Sequence, residues 1–411
     1  MSNLRSESQL AIEGGERVRS TPFPPWPYYA PDEIDAVTAV LASGRVNYWT
    51  GEEGRQFEVE FAAYVGTQYA VALMNGSVAL ELALLALGIG PGDEVVVPAR
   101  SFIATASSVV LVGAKPVFAD VDPISGNITA ESIAAVVSSA TRAVITVHLG
   151  GQPCDMDTIM ALAQARGLLL IEDCAQAHGA FYKGKQVGSF GDAAAFSFCQ
   201  DKVLSTGGEG GMLVCNDTTV WQRAWSYKDH GKSWQAVYQR QHPAGFRWLH
   251  ESFGSNWRMT EMQAAIGRRQ LKKLSRWVAQ RQQHAQALER GLSEVRGLQM
   301  LPAPEYISHA RYRYYVSLAP EQLASHWNQA RIIEAIQAEG VPCASGSCAE
   351  IYREKAFVDA GLAPQAPLPA SQWLGATRLC FLTHPTLDEQ AIADTCSAVA
   401  KVMAVATRHE A

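Results

Sequence analysis

Residues 168–212 read LLLIEDCAQAHGAFYKGKQVGSFGDAAAFSFCQDKVLSTGGEGGM, and the rest of the chain is best read outward from them. Leu168 to Ile171 form a short apolar run, the pattern of a buried strand, that stops at Glu172-Asp173. A second run, Ala193 to Phe198, is followed directly by Cys199-Gln200-Asp201-Lys202 and the glycine-rich loop Gly207 to Gly211. In an open α/β sheet, residues just past the carboxyl ends of parallel strands face the ligand crevice. An acid, Asp173, and an amine, Lys202, therefore stand at one crevice. This pair suits pyridoxal 5'-phosphate, which needs an anion beside its pyridine nitrogen and an amine to condense with its aldehyde. Taken singly, each has a plainer reading, an acid that ends a strand and a lysine exposed on a loop.

Further strand-like runs lie at Ala70–Leu73, Val95–Val97, Lys115–Ala119, Ala143–Val147 and Met212–Cys215, with helical patterns between them at 55–64, 78–87, 129–138, 155–166 and 217–227. Strands alternating with helices imply a mostly parallel sheet covered on both faces. Asn75-Gly76-Ser77 opens the strongly apolar helix, with Ser77 as the expected N-cap. Free amides and the helix dipole suit such a start to an anion, although a Gly-Ser taken alone reads more simply as a cap with no ligand. Gly88-Ile-Gly90-Pro-Gly92 lacks the third glycine of a dinucleotide fingerprint and precedes a strand instead of following one; a P-loop and a zinc-protease helix are also missing.

A chain of 411 residues is long enough for two cores, since single ones stop growing near ~250 to 300 residues. A net charge of −6 leaves no electrostatic footprint for nucleic acid. Eight cysteines without a CxxC pair, and no apolar segment of membrane-spanning length, point to reduced thiols, no metal site and a cytoplasmic protein. Residues 1–21 are polar and proline-flanked, and are expected to be mobile. Lys228 to Phe253 reads as a long irregular segment rich in aromatics. Thr260 and Gln263 form a capping box at the head of a long helix. From about Leu271 the pattern changes to helices mixed with antiparallel-looking strands. We therefore expect a large domain over 22–260 and a small one over 261–411, joined by a helix from about 259.

Glu172-Asp173-Cys174-Ala175-Gln176, Ser197-Phe198 five positions ahead of Lys202, and Thr206-Gly207-Gly208-Glu209-Gly210-Gly211 resemble the DegT/DnrJ/EryC1/StrS family of sugar aminotransferases. The resemblance runs from about Pro22 to the last helix. It implies fold type I: a large domain with a mostly parallel seven-stranded sheet between helices, and a smaller α+β C-terminal domain. It implies pyridoxal 5'-phosphate, with pyridoxamine 5'-phosphate as the other form, carried by Lys202 with Asp173 at the ring nitrogen. It places Gln176 at the phenolic oxygen, Phe102 on the ring face, and Gly76, Ser77 and Ser197 at the phosphate. Asn256-Trp-Arg258-Met matches a segment whose asparagine reaches the phosphate of the other subunit, so a homodimer with shared active sites is implied. The implied reaction moves an amino group, usually from L-glutamate, to a nucleotide-linked keto-sugar. Many members carry a histidine in the loop corresponding to 341–352, where the sugar is contacted; Pro342-Cys-Ala-Ser-Gly-Ser-Cys-Ala-Glu-Ile-Tyr352 has none. A keto-cyclitol acceptor, and a catalytically silent sensor or scaffold that keeps the fold, are the alternatives.

Overall fold

The structure is a computed structural model that describes residues 9–407. Its main sheet has seven strands: β1 (Tyr69–Leu73), β2 (Glu94–Pro98), β3 (Lys115–Ala119), β4 (Thr141–Val147), β5 (Leu169–Asp173), β6 (Ala193–Ser197) and β7 (Gly211–Cys215). They lie in the order β1-β7-β6-β5-β4-β2-β3, and only β7 runs against its neighbours. The sheet is thus mostly parallel, as expected.

Both faces are buried, and the strands show why. Successive side chains on a strand point to opposite faces. Val71, Leu73, Val95, Val97, Ile145, Ile171 and Leu213 pack on one side with the helix Gly76–Ala86. Their neighbours Ala70, Ala72, Val96, Val144, Leu170, Phe196 and Met212 pack on the other. There they meet the helices Glu53–Val65 and Met156–Arg166 through Phe57, Phe61 and Ile159. Sandwiched strands need an apolar residue at every position, so they read in the sequence as short continuous runs.

A separate core lies further along the chain. The antiparallel strands Leu298–Gln299, Tyr314–Leu318 and Arg378–Phe381 pack with the helices Leu274–Leu292, Gln329–Ala338 and Glu389–Ala406. Leu10 is fully buried in this core. The expectation of a mobile segment over 1–21 therefore fails for residues 9–21: the N–H groups of Ala11 and Val18 bond to the Glu339 carboxylate, and Arg19 pairs with Asp394 at 2.7 Å. Residues 1–8 lie outside the described residues.

Two helix readings also need correcting. The expected long helix after 259 is two, Glu261–Leu271 and Leu274–Leu292, and only the first carries the Thr260–Gln263 capping box. Between them the Lys273 N–H turns back to the Gln270 carbonyl, while its ammonium pairs with Asp32 and Glu33 at 2.6 and 2.7 Å. The long segment from Lys228 is not wholly irregular, because Ser233 caps a short helix, Trp234–Tyr238. Among the described residues no helix is long and apolar enough to cross a membrane.

Candidate active site

At the carboxyl ends of β2, β5 and β6 the sheet opens into a cavity of about 790 Å3. Gly76, Ser77, Phe102, Asp173, Gln176, Ser197 and Lys202 all line it. Seven of the eight residues singled out from the sequence are thereby brought together. Asn256 is the exception: it is exposed, and its backbone bridges to Asp229. The opposite wall comes from the C-terminal part of the chain, through Tyr312, Arg313, Tyr315 and the loop Ala344 to Cys348. An Ala344–Cys380 backbone bridge ties that loop to the small sheet.

Asp173 is the last residue of β5 and is 5% exposed. Its Oδ2 accepts the Thr105 hydroxyl proton at 2.8 Å, and its Oδ1 accepts the Ala175 N–H at 3.1 Å. Burial still outweighs these donors and the nearby Lys202 charge, and raises the carboxyl above the ordinary carboxylate range. A cationic N–H in the cavity would reverse that shift. Thr105 is held in turn by Ser101, 2.7 Å away.

Lys202 follows β6 on a tight turn in which its N–H reaches the Cys199 carbonyl. Its Nζ lies 5.1 Å from the centre of the Tyr312 ring and 3.5 Å from Asp201 Oδ1. Asp201 also accepts the Tyr312 hydroxyl proton and lies 3.8 Å from Arg313. Burial would raise the Asp201 carboxyl, but Lys202, Tyr312 and Arg313 together hold it below the usual range. Asp201 thus anchors the amine and joins the two walls.

The helix Gly76–Ala86 starts two residues earlier than expected. Its N-cap is Asn75, whose side chain accepts the Val78 N–H at 3.0 Å, so Ser77 lies in the first turn and does not cap it. The first amides of a helix have no partner within it, and those of Gly76 and Ser77 stand at the cavity. A Cβ on Gly76 would come within 2.6 Å of the Ser197 Cβ, and one on Gly211 would run into the Asn75 carbonyl. Glycine at both places lets a helix start, Ser197 and β7 converge on one small cradle that suits a phosphate.

Gln176 is oriented from behind: its Oε1 accepts the Gly150 N–H at 2.7 Å, which turns its amide nitrogen toward Ser347, 3.3 Å away. Phe102 is 66% exposed at the rim of the cavity.

Sequence reasoning gave no role to Thr105, Asp201, Tyr312, Arg313 or Ser347. Asp201 stands beside Lys202 within residues 168–212, and Ser347 lies in the loop 341–352. The other three gave no local signal.

His148, Glu172 and Cys174 also lie close together, with ligand-type atoms within 4.8 Å of one another. Their chemistry does not suit a metal. Glu172 Oε1 accepts the N–H groups of Phe190 and Gly191, and Oε2 accepts those of Gly188 and His148. His148 Nδ1 accepts the Cys154 N–H, and burial pushes the Cys174 thiol well up, away from the thiolate a metal needs.

The profile of the DegT/DnrJ/EryC1/StrS aminotransferase family matches residues 27–400. An aminotransferase from Psychrobacter cryohalolentis, known from its X-ray structure, is 53% identical, with a TM-score of 0.92 across 94% of this chain and 100% of that one. The L-glutamine:2-deoxy-scyllo-inosose aminotransferase of Streptomyces lividus is 37% identical over 358 residues, 85% of this chain and 83% of its own. GDP-perosamine synthase of Escherichia coli O157:H7 is 40% identical over 250 residues, covering 60% of this chain and 66% of its own.

Proposed function

The chain belongs to the DegT/DnrJ/EryC1/StrS aminotransferase family and is a pyridoxal 5'-phosphate-dependent aminotransferase; from that premise we propose that it moves an amino group from an amino acid, L-glutamate first, to a nucleotide-linked keto-sugar. The observation that carries this reading is the single cavity that holds Asp173, Lys202 and the Gly76–Ser77–Ser197 cradle.

When bound, the cofactor supplies an aldehyde and a ring that withdraws electrons from the reacting carbon. Lys202 would hold it through Nζ and, once displaced by the donor, would move the proton at the donor's α carbon; such acid–base work is worth ~10² to 10⁴-fold. Asp173, short of donors in a buried position, would keep a proton on the ring nitrogen. The Gly76 and Ser77 amides with the Ser197 hydroxyl would hold the phosphate, and the Gln176 amide would donate to the phenolic oxygen. Phe102 would cover the ring face. Asn256, exposed and away from this chain's own cavity, is suited to complete the site of a second copy, which makes a homodimer part of the proposal. The division into a large domain over 22–260 and a small one over 261–411 is likewise proposed, and it sets the cavity at their junction.

The acceptor is tested by incubating the protein with 15N-labelled L-glutamate or L-glutamine and a panel of nucleotide keto-sugars. Label should appear in an amino-sugar; a panel that stays unlabelled while a keto-cyclitol takes up nitrogen would replace this acceptor with the second reading. The Streptomyces lividus relative, a glutamine:inosose aminotransferase at 37% identity, is the observation in favour of that second reading.

A further inference from the structure

Behind Tyr315, which also lines the active cavity, lies a second cavity of only about 20 Å3. Arg100, Arg311 and Arg378 contribute to its wall, together with His309 and Gln152. Arg100 and Arg378 are 2% and 1% exposed. Each has two guanidinium nitrogens without a hydrogen-bond partner among the described residues: Nε and Nη2 of Arg100, and Nε and Nη1 of Arg378. Arg378 Nη2 donates to the carbonyls of Pro123 and Ile124, and the Arg100 guanidinium lies 5.1 Å from the centre of the Tyr315 ring. Neither touches a carboxylate.

The charges around the cavity do not balance. Asp122 is the acid that acts on Arg378, but its Oδ1 already accepts two backbone N–H groups and the Ser125 hydroxyl. His309 is held neutral by its burial and by Arg311, and its Nδ1 accepts the Arg311 N–H. A charge taken out of water is strongly disfavoured unless it is paired and hydrogen-bonded. Here guanidiniums converge on a space with nothing negative in it.

We propose that this cavity binds one small monovalent inorganic anion, of the size of chloride, between the guanidiniums of Arg100 and Arg378. About 10 to 15 Å3 admits one water-sized particle, so the space takes a single halide and excludes a carboxylate with its carbon chain. The two arginines come from different layers, Arg100 from the loop after β2 and Arg378 from the first position of the last small-sheet strand. The anion clamps these layers together behind Tyr315. The Tyr315 hydroxyl accepts the Ser347 N–H at 3.3 Å, so the clamp also steadies the loop that borders the active cavity.

The test uses the cofactor-loaded wild-type protein. Crystals grown without halide and soaked in sodium bromide should give an anomalous peak between Arg100 and Arg378 at the bromine edge. In solution, thermal melts in sodium chloride, bromide and gluconate at equal ionic strength should show a higher Tm in the two halides, because gluconate cannot enter. Arg378→Gln should lose the halide-specific part. No bromine peak, which would mean water alone, overturns the proposal. So does a peak accompanied by melts that follow ionic strength whatever the anion, which would mean binding at soaking concentration only. Both wild-type measurements stand even if Arg378→Gln fails to fold.

Discussion

Glu172 and Asp173 leave β5 one after the other, and the protein supplies them very differently. Glu172 is fully buried, yet three backbone amides and the His148 ring donate to it; burial pushes its carboxyl up, but His148 and the amides outweigh that and hold it below the usual range. Asp173 is almost as buried, has two donors and an open cavity in front of it, and its carboxyl is raised. The lysines repeat the contrast. Lys228 is sealed against the Glu58 carboxylate at 2.6 Å and the Tyr48 ring, whereas Lys202 stands in the cavity 3.5 Å from Asp201. A charge saturated by the protein belongs to the fold, and one left short of partners belongs to the ligand.

The largest expected effect tests the open side. Lys202→Ala should leave a folded protein whose turnover falls by about 10⁴-fold or more. It should also no longer be labelled when borohydride is added with the cofactor. Turnover within tenfold of wild type would remove Lys202 from its role.

The two carboxylates should then separate in opposite assays. Glu172→Ala leaves His148 and three amides without their acceptor and should lower the unfolding free energy by about 3 to 5 kcal/mol in denaturant melts. Asp173→Asn should change the stability of the cofactor-free protein by less than about 1 kcal/mol while turnover falls on the order of 10²-fold. The reverse pattern would break the comparison.

Acid should act on the closed interior first. His178 packs against Phe196 and Phe198, and burial, helped by Lys202, lowers its pKa to about 3. The unfolded chain binds this proton near the ordinary histidine value of 6.5 and the folded one does not, so stability is lost as pH falls from 6.5 toward 3. Between pH 7 and 5 this amounts to about 2 kcal/mol. Asp173 has the opposite sign: its raised carboxyl makes the cofactor-free protein less stable as pH rises above the usual carboxylate range, and Asp173→Asn should abolish that part. Chemical denaturation of His178→Phe, with no smaller acid loss than wild type, would refute the first assignment.

The smallest effect concerns the helix start. Asn75→Ala should cost about 1 kcal/mol of stability through the lost cap. Ser77→Ala should leave stability within about 0.5 kcal/mol and instead weaken cofactor binding, read as a higher dissociation constant.

Much of the fold was legible because sandwiched parallel strands must be short and apolar throughout. The run expected at Lys115–Ala119 is β3 to the residue, and the others differ by a residue or two at their ends. The site was legible where chemistry and strand ends coincide, as at Asp173 and Lys202. Asn75 and Ser77 are both good caps two positions apart, and local sequence has no means of choosing between them; in the fold the Asn75 side chain takes the Val78 N–H, with Gly211 packed against the Asn75 carbonyl. Arg100 and Arg378 carry charges that ordinarily mark a surface, so their burial together left no trace in the pattern.

The sequence alone determined that an acid and an amine would stand past two strands of one sheet, since apolar runs and their polar endings are local properties. Only the tertiary structure decided which charges are satisfied. The partners that settle this come from distant segments: Gly188 to Gly191 for Glu172, Thr105 for Asp173 and Tyr312 for Asp201, while among the described residues Nε and Nη2 of Arg100 find no acceptor. A residue's alternation along a strand follows from its own neighbours, whereas its supply of hydrogen-bond donors depends on whatever the fold packs opposite it.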